Sequence, residues 1–247
     1  MRKPPNSLEE LQILGKHTEF MDKIKNVAIM DDTHGDDAAW WSDYRYYPEQ
    51  PKSHFKITNF VRENQCRGSN KRSNVKFVET DMSDTGEEPE SYEFMWANNC
   101  LQRSSDPFKT LRHWWDLLKE DAMLCLSVPQ TNYIDDLGRW QVHSYSGEYF
   151  SWNMINLIQT LAVCGFDCRD GHFKQVRHDP YLWASVYKGP TPPQDPATTS
   201  WYDLKDLNLT PVHLDECIDR FGYARHDFLK VEWLNHSVYD IGMESLP

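Results

Sequence analysis

The strongest constraint on this chain is an alternation, in which short apolar runs of strand length recur between longer stretches with helical spacing. Val27-Ala28-Ile29-Met30, His54 to Val61, Val75-Lys76-Phe77-Val78, Tyr92 to Ala97 and Ala122 to Val128 form the strand-like series. The last of these, AMLCLSV, is almost unbroken and suits a central strand covered on both faces. Between the runs, Asp106 is placed to cap a helix with Pro107 at its first position and Phe108, Leu111, Trp114, Trp115 and Leu118 at helical spacing. Ser151 is expected to cap another, with Met154, Ile155, Leu157, Ile158 and Leu161 as its apolar stripe and Gly165 as its left-handed closing residue. The capping-box spacing Ser7-Leu8-Glu9-Glu10 signals an earlier helix carrying Leu8, Leu11, Ile13 and Leu14. Gly171 to Arg177 and Leu182 to Lys188, separated by His178-Asp179-Pro180, predict a terminal hairpin. Parallel neighbours need crossovers, so this order predicts an α/β fold: a mostly parallel sheet, helices on both faces and an antiparallel end.

The pattern breaks after residue 189. The Pro-rich stretch predicts a stiff linker over 190–200, dividing an α/β domain (1–189) from a C-terminal α+β appendage (201–247). That appendage, with Thr210 and Pro211 opening a helix, Gly222 closing it and a strand-like Phe228 to Leu234, is too short to build its own core. It is expected to pack on the main domain or on a partner.

Composition narrows the function classes. Lys and Arg total 26 against 38 Asp and Glu, a net charge of −12. Such a field opposes attraction to phosphate backbones and anionic lipid, which disfavours nucleic acid and membrane surfaces as partners. No run approaches the ~18–20 apolar residues of a membrane helix. Met1 to Pro5 leads into a polar segment, so the expectation is a soluble cytoplasmic protein. The six cysteines lack paired C-x-x-C spacing and are expected to be reduced and mostly buried. Cys164, Cys168, His172 and His178 could be read as metal ligands, but Cys164 falls on the apolar face of a helix and no structural metal is expected.

Loops after parallel strands are where ligands sit in such sheets. They read Glu79-Thr80-Asp81-Met82, Asn98-Asn99-Cys100-Leu101-Gln102 and Pro129-Gln130. In this order, the stretches VKFVETDMSD, YEFMWANNCLQRSSDPFKTLRHWWDLLKEDAMLCLSVP and HSYSGEYFSWNMINLIQTLAVCGF resemble class I S-adenosylmethionine-dependent methyltransferases of the small-molecule and glycan-modifying type. The resemblance spans roughly residues 70–188. It implies a Rossmann-like fold and S-adenosylmethionine as cofactor, with Asp31, Gly35, Asp81, Met82 and Asn98 near it. Asp81 at a strand end can accept from the exocyclic amine of adenine, with the Met82 backbone along the ring edge. His143 follows the fifth strand on the acceptor side and is the candidate general base, with Asp135, Asp136 and Tyr145 as lesser candidates.

The sequence departs from the family after its first strand, where three spaced glycines are expected. It has Asp31-Asp32-Thr33-His34-Gly35-Asp36-Asp37, one glycine among four carboxylates. Those carboxylates would repel an anionic ligand group unless a cation such as His34 or Arg45 intervened. The cluster also invites a magnesium or calcium site, against which stands a solvated acidic loop opening a helix. The acceptor expected after the second strand, for the ribose hydroxyls, has only Asn59 or Glu63 as substitutes. Trp40, Trp41, Tyr44, Tyr46 and Tyr47 either stack a sugar or base or pack a long loop.

Two readings follow. The chain is a methyltransferase acting on a small-molecule or glycan acceptor, or it is a catalytically inactive pseudo-methyltransferase. In the second case it serves as a binding or structural scaffold for a protein partner or a second copy of itself.

Overall fold

A computed structural model describes residues 23–43, 55–63, 72–130, 150–175, 181–212 and 214–215. Its sheet contains β1 (Asn26–Met30), β2 (Lys56–Val61), β3 (Val75–Glu79), β4 (Tyr92–Asn98), β5 (Leu118–Pro129), β6 (Phe166–Gln175) and β7 (Tyr181–Lys188). The helices are α1 (Asp36–Asp43), α2 (Pro107–Leu117), α3 (Met154–Val163) and α4 (Trp201–Asp206). The strand order is β3-β2-β1-β4-β5-β7-β6. Strands β1 to β5 pair in parallel, whereas β7 runs antiparallel to both β5 and β6. The expected α/β architecture with an antiparallel end is present.

Strand periodicity explains the two packed layers. Successive side chains point to opposite faces, so Ala28 and Met30 enter one core while Val27 and Ile29 enter the other. The larger core joins the sheet to α2, α3 and α4 through Leu111, Trp114, Leu157, Ile158, Leu161 and Leu204. The smaller one is aromatic: Trp41 of α1 lies 4.9 Å from Phe94 and 5.5 Å from Trp96, ring centroid to centroid. Both faces of β5 are covered, which accounts for its unbroken apolar sequence.

Helix boundaries follow local chemistry with one shift. Asp106 caps α2, its carboxylate accepting from the Lys109 N–H at 3.0 Å, with Pro107 in the first turn. Asn153, not Ser151, caps α3, accepting from the Asn156 N–H at 2.9 Å. Both residue types cap well; the burial of Met154 sets the helix start two residues further along. Gly165 adopts φ +87°, and an added Cβ would lie 2.8 Å from both the Thr191 carbonyl oxygen and Trp115 Nε1.

Two further expectations are corrected, for the penultimate strand and for Trp40 and Trp41. The penultimate strand starts at Phe166, five residues before Gly171, because the chain enters the sheet directly from the Gly165 turn; its pairing to β7 shifts register between Asp167 and His172. Trp40 and Trp41 belong to helix α1 and not to a loop, and Trp41 is fully buried core. The segment after residue 189 is tied to the domain. The Gly189 and Gln194 N–H groups donate to the carbonyls of Gly165 and Val163, and Leu204, Leu209 and Leu214 fill the larger core. Ser200 and Asp203 form a capping box that starts α4.

The Ser7 helix, the residues beyond 215, and Cys66 and Cys217 lie outside the described residues. The four described cysteines, Cys100, Cys125, Cys164 and Cys168, are buried free thiols. Burial pushes the Cys164 thiol up to about 12. No described helix is long and apolar enough to cross a membrane.

Candidate functional site

The strand order reverses direction between β1 and β4, and the crevice beyond their carboxyl ends is where an open α/β sheet receives ligands. The chain leaves β1 at Asp31, φ +56°, whose N–H donates to the Phe60 carbonyl of β2 at 2.7 Å. A non-glycine residue there is strained by ~1–3 kcal/mol and persists only when its surroundings hold it. Here they do. The Asp31 carboxylate, only 1% exposed, pairs with Arg62 Nε at 3.2 Å and Arg103 Nη1 at 3.1 Å. Arg62 is the first residue after β2, and Arg103 ends the 3-10 turn Leu101–Arg103 that follows β4. The compensating cations are these two arginines; His34 is exposed, and Arg45 lies outside the described residues.

Of the remaining carboxylates of the acidic loop, Asp32 and Asp37 are engaged by the fold, while Asp36 is exposed. Asp32 Oδ1 accepts from the N–H groups of Gly35 at 2.9 Å and Asp36 at 3.1 Å, and Oδ2 accepts from Ala38 at 2.9 Å. It thus sits on the N-terminus of α1, the place an anion would otherwise take. Burial, aided by the neighbouring Asp37 charge, raises Asp32 from 3.8 to about 6 despite those hydrogen bonds. Asp37 accepts from Trp96 Nε1 at 3.0 Å and from Asn98 Nδ2 at 3.1 Å; burial raises its pKa as well. Asn98 is fixed from its other side, Ser127 Oγ of β5 donating to its Oδ1 at 2.7 Å. Among the described residues no group of His, Cys, Asp and Glu side chains is arranged to hold a metal ion.

Asp31, Gly35 and Asn98 therefore share one edge. Gly35, buried with φ +73°, turns the chain into α1. Asp81 and Met82 follow β3, two strands and so about 10 Å across the sheet from β1. Asp81 is exposed and its Oδ1 accepts from the Ser83 N–H at 2.7 Å, which holds its pKa below the usual carboxylate range. Met82 is buried, its carbonyl accepting from Trp114 Nε1 at 2.9 Å. Asn59, one substitute weighed for the ribose acceptor, is buried and points inward, donating to the Asp32 carbonyl at 2.9 Å. His143, Asp135, Asp136, Tyr44, Tyr46, Tyr47 and Tyr145 lie outside the described residues. Sequence reading missed Arg62 and Arg103: the first directly follows the second strand and the second follows the loop Asn98 to Gln102, yet their partner is 31 and 72 residues away.

An open cleft of about 710 Å³ lies at the amino ends of β4, β5 and β6. Glu90, Asp116, Glu120, Asp121, Asp167 and Asp170 line it, with Lys188 over the Trp115 ring at 4.2 Å.

No family model matches the sequence, and no curated protein matches it significantly. Solved structures do match. A protein described as a methyltransferase, solved with the Haloferax volcanii Trm112 methyltransferase activator, aligns at TM-score 0.53 and 12% identity. That match covers 73% of this chain and 92% of the other. The Haemonchus contortus phosphoethanolamine N-methyltransferase 2 bound to S-adenosyl-L-methionine aligns at 0.52 and 10%, over 68% of this chain and 49% of that one.

The chain has the class I S-adenosylmethionine-dependent methyltransferase fold. The methyltransferase fold does not fix a reaction, since the [4+2]-cyclase SpnF also aligns, at TM-score 0.51 and 12% identity over 72% of this chain and 82% of its own.

The cofactor of that fold asks three things of this edge. For the adenine amine there is an exposed acceptor, Asp81. For close backbone approach there is Gly35. For the ribose hydroxyls an acceptor is expected after β2; Glu63, exposed two residues past the strand, is the substitute that can accept, beside Arg62, which only donates. Asp81, Gly35 and Glu63 are thus the residues of this edge that could hold such a cofactor.

Proposed function

We propose that this chain binds S-adenosylmethionine in the crevice between β1 and β4 and methylates a small molecule or sugar. Asp81 accepts from the adenine amine, and the Met82 backbone lies along the ring edge. Gly35 and Asn98 line the methionine end, and Asp31 organises the loop. The cofactor supplies the methyl group when bound. His143 takes the proton of the acceptor hydroxyl or amine as a general base. The observation that carries this reading is the convergence of Asp31, Gly35 and Asn98 on the switch-point edge of a sheet ordered β3-β2-β1-β4-β5-β7-β6, with an exposed acid at the end of β3.

One observation favours the scaffold alternative: Asp32 already satisfies three N–H groups at the start of α1. In that case the sheet is retained as a platform for a protein partner or a second copy of the chain. Calorimetric titration with S-adenosylmethionine and S-adenosylhomocysteine separates the two. Micromolar binding that Asp81→Ala weakens about tenfold, the loss of one charged hydrogen bond, supports the enzyme. No heat, together with an unchanged melting temperature at millimolar ligand, supports the scaffold.

A further inference from the structure

Two carboxylates withdrawn from solvent open α1, and among the described residues neither is paired with a cation. Like charges in one desolvated place favour a proton on one of them. Their partners differ. Asp37 is met by two donors, Trp96 Nε1 and Asn98 Nδ2. Asp32 is met by three backbone N–H groups and also stands beside an acceptor, because Asn59 of β2 places its side-chain amide against it. Asn59 Nδ2 donates to the Asp32 carbonyl at 2.9 Å and lies 3.5 Å from Asp32 Oδ2. The Oδ1 of the same amide is fully buried and has no hydrogen-bond partner. A buried acceptor left unmatched is costly, and a carboxylate cannot satisfy it, whereas a carboxylic acid can. The charged groups around Asp32 are accounted for. Asp37 of α1 adds a negative charge that favours the proton. The charge of Asp31 is met by Arg62 past β2 and Arg103 past β4, and His34, Asp36 and Glu63 are exposed.

We propose that Asp32 and Asn59 form a proton switch at the base of α1, in which Asp32, once protonated on Oδ2 from solvent, donates to Asn59 Oδ1. The two states exchange one bond for another. In the ionised state Oδ2 accepts from the Ala38 N–H at 2.9 Å and so holds the first turn of α1. In the neutral state Oδ2 becomes the hydroxyl, a poorer acceptor, and the loop is tied to β2 in place of Ala38. Oδ1 is then the carbonyl oxygen and keeps the N–H groups of Gly35 and Asp36. The first turn of α1 borders the switch-point crevice and carries Asp37, which holds Asn98, so acid loosens one wall of that crevice. The switch is a property of the fold and goes beyond the functional reading above without resting on it.

The test is an NMR titration of the whole isotope-labelled protein, without ligand, from pH 7.5 to 4.5. Three signals are followed: the Asp32 carboxyl carbon, the Asn59 side-chain amide and the Ala38 backbone amide. The switch predicts one shared midpoint near pH 6. As pH falls through it, the Asn59 carbonyl carbon moves downfield on accepting a hydrogen bond, and the Ala38 amide proton moves upfield on losing one. Asp32→Asn is expected to abolish both of these movements. Their persistence in that variant would assign them to another group, such as Asp37, and overturn the proposal. Should the variant not fold, the wild-type carboxyl signal still decides. An Asp32 carboxyl that stays ionised down to pH 4.5 removes the switch. An Asp32 that titrates near 6 while Asn59 and Ala38 stay unmoved also overturns it, because the proton is then held elsewhere.

Discussion

Asp32 makes a pH-dependent prediction whose size can be worked from the structure. Its pKa is raised from 3.8 to about 6, by burial first and by the Asp37 charge second. A carboxylate with a raised native pKa holds its proton more tightly folded than unfolded, so acid favours the native state at this site. The contribution is lost as pH climbs from about 4 through 6 and is absent above that. Two pKa units correspond to roughly 3 kcal/mol in full, of which about 2 kcal/mol returns by pH 4.5. Other groups titrate nearby, and His113 pulls the opposite way because its pKa is lowered. The readout is therefore the difference between the wild type and Asp32→Asn, which cannot titrate at this position. Urea unfolding at pH 7.5 and 4.5 should show the wild type gaining roughly 2 kcal/mol on the variant as pH falls. A difference that is constant with pH, or that grows in favour of the variant in acid, would refute the argument that burial outweighs the three helix N–H bonds.

Three other substitutions test the packing. Gly165→Ala places a Cβ against the Thr191 carbonyl and Trp115 at a left-handed φ and should cost roughly 2–4 kcal/mol by chemical denaturation. Trp114→Phe strands the Met82 carbonyl in the core and should cost about 1–3 kcal/mol, with the Asp81 loop losing amide-exchange protection first. Leu209→Ala, in the segment beyond the Pro-rich stretch, should lower a single cooperative transition by roughly 2–5 kcal/mol; a separate early transition would show that 201–215 folds apart from the sheet.

What was legible in the sequence was what local chemistry specifies. Asp106-Pro107 announces α2 because the cap and the missing N–H are satisfied within one turn, and AMLCLSV announces β5 because both its faces are apolar. The start of β6 was hidden because Asp167, Arg169 and Asp170 break the alternation that marks a strand, while pairing to β7 keeps Phe166 and Asp167 in the sheet. Capping of α3 slipped from Ser151 to Asn153 because two good caps lie two residues apart and core packing selects one. At the site, the acidic loop was visible, but the reason it is tolerated was not. Arg62 and Arg103 meet Asp31 only after β1, β2 and β4 lie side by side, and no short-range pattern records that meeting.

The central claim is that the ligand lies across the carboxyl ends of β1, β3 and β4. Amide chemical-shift mapping on addition of S-adenosylhomocysteine tests this most directly. The account predicts perturbations at Gly35, Met82 and Asn98, with Lys188 and Asp170 at the opposite end of the sheet unmoved. Shifts confined to the acidic cleft around Trp115 and Lys188, or none at saturating ligand, would contradict it.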